Sequence, residues 1–273
     1  MDGTNITVLH NNTYCFGMAV EWRSLLLYWT DHRKNTISVS DFEGNNRRTV
    51  FSPGLQILGP AGIVLDPHEG SMFWTQTLAD KFPKVLKSTM YGGQQVVMVT
   101  SNLSWPFGIT LDRGNKFAFW MNHITGAIES SDYYGNNRRF FAFARRRKYN
   151  FYGVTFSSSY LFVTDFGGNG FKVDASNGTV QSNFSINFKY NMGTVAFNSY
   201  LQPPVVLITC PVLPTPFNGV KLGCGWNIMY YGTECHFLCN YGYAGSGFKV
   251  RRCQRNGTWT GRDFGCHDKY HEP

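Results

Sequence analysis

Tyr28-Trp29-Thr30-Asp31 is the first of four related tetrads, followed by Phe73-Trp74-Thr75-Gln76, Phe119-Trp120-Met121-Asn122 and Phe162-Val163-Thr164-Asp165 at intervals of 45, 46 and 43 residues. A glycine-led apolar run precedes each tetrad: Gly17-Met18-Ala19-Val20, Gly62-Ile63-Val64-Leu65, Gly108-Ile109-Thr110-Leu111 and Gly153-Val154-Thr155-Phe156. Their glycines are 45, 46 and 45 residues apart. Two independent markers that keep one period identify an internal repeat. A third marker, Asp41-Phe42-Glu43-Gly44-Asn45-Asn46-Arg47-Arg48, returns 91 residues later as Asp132-Tyr133-Tyr134-Gly135-Asn136-Asn137-Arg138-Arg139, with Met90-Tyr91-Gly92-Gly93 between them. These stretches read as hairpin turns, since Asp and Asn side chains satisfy nearby amides and Gly supplies positive φ.

Each unit of about 45 residues has room for four short strands, the size of a propeller blade. Inner strands of a blade are sandwiched between neighbours and should be apolar on both sides, as Leu25-Leu26-Leu27-Tyr28-Trp29 is. Trp29, Trp74 and Trp120 recur with the period and are expected in the core. The Thr and Asp that end the tetrad sit in a crowded place, where an unpaired polar group costs about 1–3 kcal/mol. Asp31 and Asp165 are therefore read as structural clamps that tie strand ends or adjacent blades together.

Over about residues 2–203 these motifs resemble the low-density lipoprotein receptor class B (YWTD) repeats, of the low-density lipoprotein receptor-related type. The resemblance implies an all-β fold with a six-bladed propeller, of which about four to five blades are present. It also implies a Gln-Pro exit, which Val195-Ala196-Phe197-Asn198 to Gln202-Pro203 is similar to. Asp2-Gly3-Thr4-Asn5-Ile6-Thr7-Val8-Leu9 resembles the outer strand of a preceding blade, so further blades are expected upstream of Met1. Gln76, Met121-Asn122 and Val163 depart from YWTD, and the clamp role does not carry over to them.

Six of the seven cysteines, Cys210, Cys224, Cys235, Cys239, Cys253 and Cys266, fall in the last quarter of the chain, and the seventh is Cys15. So small a segment cannot bury enough apolar surface to be stable alone and needs covalent staples, which persist in oxidising compartments. Cys210-Pro211, Asn218-Gly219, Cys239-Asn240-Tyr241-Gly242-Tyr243 and Gly257-Thr258-Trp259 resemble, in that order, the sushi (complement-control) module. The resemblance implies pairing of Cys210 with Cys253 and Cys239 with Cys266, with Trp259 buried against the bridges. Cys224 and Cys235 exceed the usual four, and a third bridge between them is the economical assignment, although six cysteines permit 15 pairings. No His-x-His or Cys-x-x-Cys grouping supports zinc. The expected organisation is a propeller over 1–204, incomplete at its N-terminus, a linker at 205–209, the sushi module at 210–266 and a tail at 267–273.

Sequons at Asn5, Asn11, Asn102, Asn177, Asn183 and Asn256 fit the same compartment. Met1 precedes polar Asp2-Gly3-Thr4-Asn5 in place of a basic region and apolar core, and no run of about 18 apolar residues occurs, so no export signal or membrane span is read. A fragment of a larger extracellular protein is the expectation, secreted or part of a membrane receptor's ectodomain.

Arg138, Arg139, Arg145, Arg146, Arg147 and Lys148 fall within eleven positions, in a chain of formal net charge +8. They form a candidate patch for acidic ligands, such as sulfated glycans or acidic protein loops; the bland alternative is a solvated loop. Nucleic acid is not expected, because the compartment is wrong and no helix or aromatic-basic motif accompanies the charges. The seven histidines are scattered, no G-x-S-x-G motif occurs, and Asp plus Glu total only 17, so neither a catalytic residue nor a calcium cage nor any cofactor is indicated. Cys15 occupies the place of Pro60 and Pro106 in later units: an inert buried thiol, half of a bridge or, least expected, a nucleophile. Trp22, Trp105 and Trp226 break the blade register and are the candidates for exposed contact. The function read is binding of extracellular protein ligands without catalysis; the alternatives are a calcium-dependent propeller hydrolase of the lactonase kind and a structural matrix component.

Overall fold

Apolar strands of four to seven residues separated by Asp-, Asn- and Gly-containing turns give an all-β chain. The computed structural model describes residues 7–53, 57–77, 83–142, 151–185, 208–222, 224, 229–230, 233–254 and 256–269. Asn5, Arg145, Arg146, Arg147, Lys148, Trp226 and the Val195–Pro203 exit lie outside those residues. Two compact units result, Met1–Glu21 with Leu25–Pro203 and Trp22–Ser24 with Pro204–Pro273.

The first unit contains, among the described residues, four four-stranded antiparallel sheets, each a meander in chain order. Blade A consists of β1 (Cys15–Glu21), β2 (Leu26–Asp31), β3 (Thr36–Asp41) and β4 (Arg48–Phe51), and blade B of β5 (Pro60–Asp66), β6 (Ser71–Gln76), β7 (Lys84–Thr89) and β8 (Val96–Val99). Blade C consists of β9 (Pro106–Asp112), β10 (Phe117–Asn122), β11 (Ala127–Asp132) and β12 (Arg139–Ala142), and blade D of β13 (Phe151–Ser157), β14 (Tyr160–Asp165), β15 (Asn169–Asp174) and β16 (Val180–Ser185). The first strands lie side by side in the order β1, β5, β9, β13, which is the arrangement of propeller blades about an axis. Apolar clusters fill the spaces between successive sheets: Trp74 packs with Tyr28 and Ile37 of blade A, and Phe73 packs with Trp120 and Tyr133 of blade C. Trp29, Trp74 and Trp120 are all buried.

One joint repeats between blades. A Cβ on Gly17, Gly62 or Gly108 would lie 2.4, 2.2 or 2.4 Å from the carbonyl oxygen of Ala61, Phe107 or Tyr152, the residue before the glycine of the next blade. Only glycine allows the two innermost strands to approach so closely. The motif threonine completes the joint. Thr30 Oγ1 accepts from Gly17 N–H at 2.9 Å and donates to Ala61 O at 2.6 Å. Thr75 does the same between Gly62 N–H, at 3.0 Å, and Phe107 O, at 2.7 Å. Blade C has Met121 at this position, and its bond to blade D comes from elsewhere, with Phe156 N–H donating to Thr110 Oγ1 at 3.0 Å. Thr164 of blade D is buried with its hydroxyl unpaired.

The aspartate therefore acts inside its own blade. Asp31 accepts the N–H of Tyr14 at 3.3 Å and of Lys34 at 3.0 Å, holding the ends of β1 and β2 together. Gln76 accepts from Leu58 N–H at 3.0 Å and Asn122 from Ser104 N–H at 3.2 Å, each one residue ahead of the position that matches Tyr14. The departures from Asp thus keep the acceptor. Asp165 accepts the backbone and side-chain N–H of Asn169, both at 2.7 Å. A difference in stability follows from the threonine pairing: Thr30→Val strands a buried N–H and a carbonyl and is expected to cost about 1–3 kcal/mol, whereas Thr164→Val removes only an unpaired hydroxyl and should fall within about 0.5 kcal/mol of the parent in urea unfolding.

The outer turns repeat a second contact. A Cβ on Gly92 would lie 2.8 Å from Val50 O, and one on Gly135 2.1 Å from Met98 O, so each turn packs on the outer strand of the preceding blade. Gly44 makes the same contact with Leu9 O, 3.0 Å from its virtual Cβ. Leu9 thus sits where a preceding outer strand sits, although Thr7–Leu9 form no strand.

The second unit has a two-stranded sheet of β17 (Thr209–Cys210) and β19 (Met229–Tyr230), a three-stranded sheet of β18 (Gly219–Leu222), β20 (Glu234–Cys239) and β22 (Val250–Arg252), and a two-stranded sheet of β21 (Tyr243–Ser246) and β23 (Gly265–Asp268). Its bridges are Cys210–Cys253, Cys224–Cys235 and Cys239–Cys266. Trp259 packs with Cys210, Cys253 and Leu213, and its indole N–H donates to Pro211 O at 2.7 Å.

Candidate functional site

Each inner strand carries a register shift at its start, between Cys15 and Met18, Pro60 and Ile63, and Phe151 and Gly153, and opposite Trp120–Asn122 for β9. Such bulges re-aim a side chain. The residues they turn are those before the glycines: Phe16, Ala61, Phe107 and Tyr152. Residues directly after the tetrads, His32, Thr77, His123 and Phe166, come to the same ends of the strands because β1 and β2, like their counterparts, are antiparallel.

An aromatic arc results on this face of the propeller. Ring centroids are 4.5 Å apart for Phe16 and His32, 5.6 Å for Phe16 and Phe107, 4.9 Å for Phe107 and Tyr152, 4.7 Å for His123 and Tyr152, and 4.1 Å for Tyr152 and Phe166. The small side chain of Ala61 lets Phe16 of blade A reach Phe107 of blade C. Trp105, 42% exposed, stacks on His123, and Tyr14, 47% exposed, meets Phe16 and carries the Arg33 guanidinium 4.6 Å above its ring. Half-buried rings with exposed ends are the surface that protein interfaces use as anchors.

Both histidines of the arc have lowered pKa values. Burial lowers the pKa of His32 against the opposing carbonyls of Pro60 and Gly59, and burial lowers that of His123 against the Phe151 carbonyl 3.4 Å from its Nδ1. Because the folded state disfavours both imidazolium ions, their contribution to stability is complete above the ordinary value of 6.5 and declines as pH falls through and below it. His32→Gln and His123→Gln are expected to flatten that acid limb of a melting-temperature profile between about pH 7 and 5.

Of the sequence-predicted residues, the structure places Tyr28, Trp29, Thr30, Asp31 and Asp165 in the blade scaffold, away from exposed surface. Arg138 is engaged: its guanidinium pairs with buried Glu129 at 2.5 Å and donates to Ser101 O at 2.7 Å. Arg139 is exposed, with its guanidinium 5.7 Å from the Phe117 ring centroid. Asn11, Asn102, Asn177, Asn183 and Asn256 are all exposed. Asn177 and Asn256 accept the N–H of the threonine two residues on, at 2.8 and 3.1 Å. Cys15 is exposed and forms no bridge among the described residues, and desolvation of its thiol, with Asp31 nearby, pushes the pKa up to about 11. Such a thiol stays protonated and is a poor nucleophile. Among the described residues no group of three or more His, Cys, Asp or Glu side chains is placed to hold a metal ion, and no helix is long and apolar enough to cross a membrane.

Sequence reading named Trp105 but missed the rest of the arc. The signal was present in the periodic positions before the glycines, where Phe16, Phe107 and Tyr152 are aromatic.

Residues 26–67 match the family described as low-density lipoprotein receptor repeat class B, and residues 210–266 match the sushi repeat (SCR repeat). One segment of the chain is thus similar to a class B low-density lipoprotein receptor repeat and another to a sushi repeat. Low-density lipoprotein receptor-related protein 8 of Gallus gallus is 30% identical over 117 residues, which are 43% of this chain and 12% of that receptor. A chain in the crystal structure of a nidogen/laminin complex is similar in fold, with a TM-score of 0.60 and 25% identity, over 66% of each chain.

Proposed function

We propose that the class B repeat unit is an extracellular binding scaffold of low-density lipoprotein receptor-related type, which engages a protein ligand through the aromatic arc and performs no chemistry. The arc carries this reading: Trp105, Tyr14, Phe107 and Tyr152 present ring surface against a rigid sheet core, Phe107 and Tyr152 on bulges, so little conformational freedom is lost on association. The disulfide-bonded sushi unit and the exposed sequons fit an extracellular setting. The hydrolase alternative lacks a carboxylate cluster among the described residues, and an acidic-ligand site would have to rest on Arg139 and on positions outside them.

Laminin, a component of the structurally similar complex, is a direct probe. The intact chain, secreted from an animal cell line, is tested for saturable binding to immobilised laminin and to a panel of other matrix and secreted proteins. The expected result is binding that Trp105→Ala with Tyr14→Ala weakens at least about tenfold, the loss of about 1.4 kcal/mol expected when an anchor ring is removed, while the melting temperature holds. Undiminished binding by the double variant, or none by the parent chain across the panel, would refute the reading.

A further inference from the structure

At the opposite ends of the strands, the groove between blades B and C is filled by the chain itself. Tyr133, from the turn after β11, packs on Phe73 with centroids 4.5 Å apart and donates its hydroxyl to Asp66 at 3.1 Å. Lys87 lies 5.4 and 5.2 Å above the Phe73 and Tyr133 rings, and Lys116 pairs with Asp66 at 3.5 Å. Aromatic floor, aromatic plug, two cations and a carboxylate form one packed unit.

The groove between blades C and D keeps the floor and the carboxylate and lacks the plug and both lysines. Sheet register and turn bonds establish the correspondence. Ser130 pairs with Phe119 as Lys87 pairs with Phe73. Ala175 N–H donates to Ser159 O at 3.1 Å, as Tyr133 N–H donates to Lys116 O at 3.1 Å. The three filling side chains, Tyr133, Lys87 and Lys116, are thus replaced by Ala175, Ser130 and Ser159. What remains is a pocket of about 580 Å³ floored by Phe119 and Phe156, whose rings stack 5.9 Å apart, with Asp112 and Asp174 at its edge and Arg139, which pairs across the sheet with Ser130, in its lining. The volume lies within the range of pockets that hold a ligand side chain or small molecule. Among the described residues neither aspartate has an ion-pair partner. Asp112 is held in place by the backbone and side-chain N–H of Asn115, at 3.1 and 2.8 Å.

We propose that the groove between blades C and D docks a tyrosine side chain of a protein partner. The tyrosine ring lies on Phe119 and its hydroxyl donates to Asp112. The adjacent groove supplies the template for each of these contacts. The site deepens the binding reading and is separate from the aromatic arc, so either can fail alone: loss of this site leaves the binding lost on mutation of Trp105 and Tyr14 untouched.

The probe is acetyl-Tyr-Lys-amide, titrated into the intact chain and followed by amide NMR shifts, beside acetyl-Ala-Lys-amide and acetyl-Tyr-Glu-amide. Expected are saturable shifts at Asp112, Ser130 and Ala175 with the Tyr-Lys and Tyr-Glu peptides and none with Ala-Lys. Ala175→Tyr, which lets the chain plug its own groove, should abolish the shifts; Ser130→Lys, a milder filling, should weaken them and decides the matter should Ala175→Tyr not fold. No saturable shift, equal response to Tyr-Lys and Ala-Lys, or full binding by the folded filled variants would overturn the proposal.

Discussion

Gly62→Ala is expected to destabilise the propeller unit by about 3 kcal/mol or more, a fall in melting temperature of roughly 6–12 °C for a unit of this size. The added methyl carbon would lie 2.2 Å from Phe107 O and 3.2 Å from the Ile109 side chain. The oxygen belongs to the backbone of β9, so blades B and C must separate rather than one side chain turn away. Overpacking of this kind costs about 1–3 kcal/mol, and separating the blades also breaks the Thr75 bond to the same carbonyl, for about 1–3 kcal/mol more. Gly114→Ala is the control, because its Cβ would meet nothing closer than 3.5 Å. Urea unfolding followed by tryptophan fluorescence measures both variants; equal midpoints would mean that the inter-blade joint does not bear on stability.

Loss of the Cys210–Cys253 bridge should unfold the sushi unit outright. The bridge closes a separation of 43 residues, against 27 for Cys239–Cys266 and 11 for Cys224–Cys235. Loop-closure entropy then gives about 4 kcal/mol for the first bridge and about 3 kcal/mol for the last, in a unit whose small core supplies only about 3–5 kcal/mol in total. Both sulfurs also lie in the apolar cluster with Trp259, so Cys210→Ala with Cys253→Ala removes packing as well. Trypsin reads the outcome. Arg251 is buried and bound to the carbonyls of Thr260 and Gly261 at 2.9 and 3.1 Å, so the parent chain should resist cleavage there while the double variant is cut within minutes. Removing Cys224 and Cys235 should leave Arg251 protected. The reverse order of sensitivity would show that the Cys224–Cys235 bridge, not the long one, holds the unit together.

Much of the fold was legible because a blade is a local object. Its four strands and three turns lie within about 45 consecutive residues, so glycine, tryptophan and Asp-Asn-Gly signals recur at fixed offsets and announce it. The buried tryptophans and the hairpin turns followed from that period. The division of labour inside the tetrad did not. Thr30 and Asp31 are adjacent and equally buried, and only the positions of Ala61 and Tyr14 reveal that threonine reaches the next blade while aspartate stays in its own. Gln76 and Asn122 put the clamp role in doubt for the same reason, since the letters differ although each side chain still accepts an N–H from the segment ahead of its inner strand, one residue earlier than Asp31 does. Arg138 read as one of a run of free cations, whereas buried Glu129, nine residues earlier, claims it.

What the residues alone determined is therefore periodic and covalent: the blade repeat, the all-β class, the glycines at the inner strands and a cysteine-stapled final module. What only the tertiary structure decided is everything that requires two blades at once, namely the threonine joint, the arc in which Phe16 meets Phe107 across Ala61, and the groove left open by Ala175, Ser130 and Ser159. The physical reason is distance: a period reports which positions are equivalent, but contact between blades depends on packing across gaps of a few ångströms, where one small side chain opens a surface and one large one closes it.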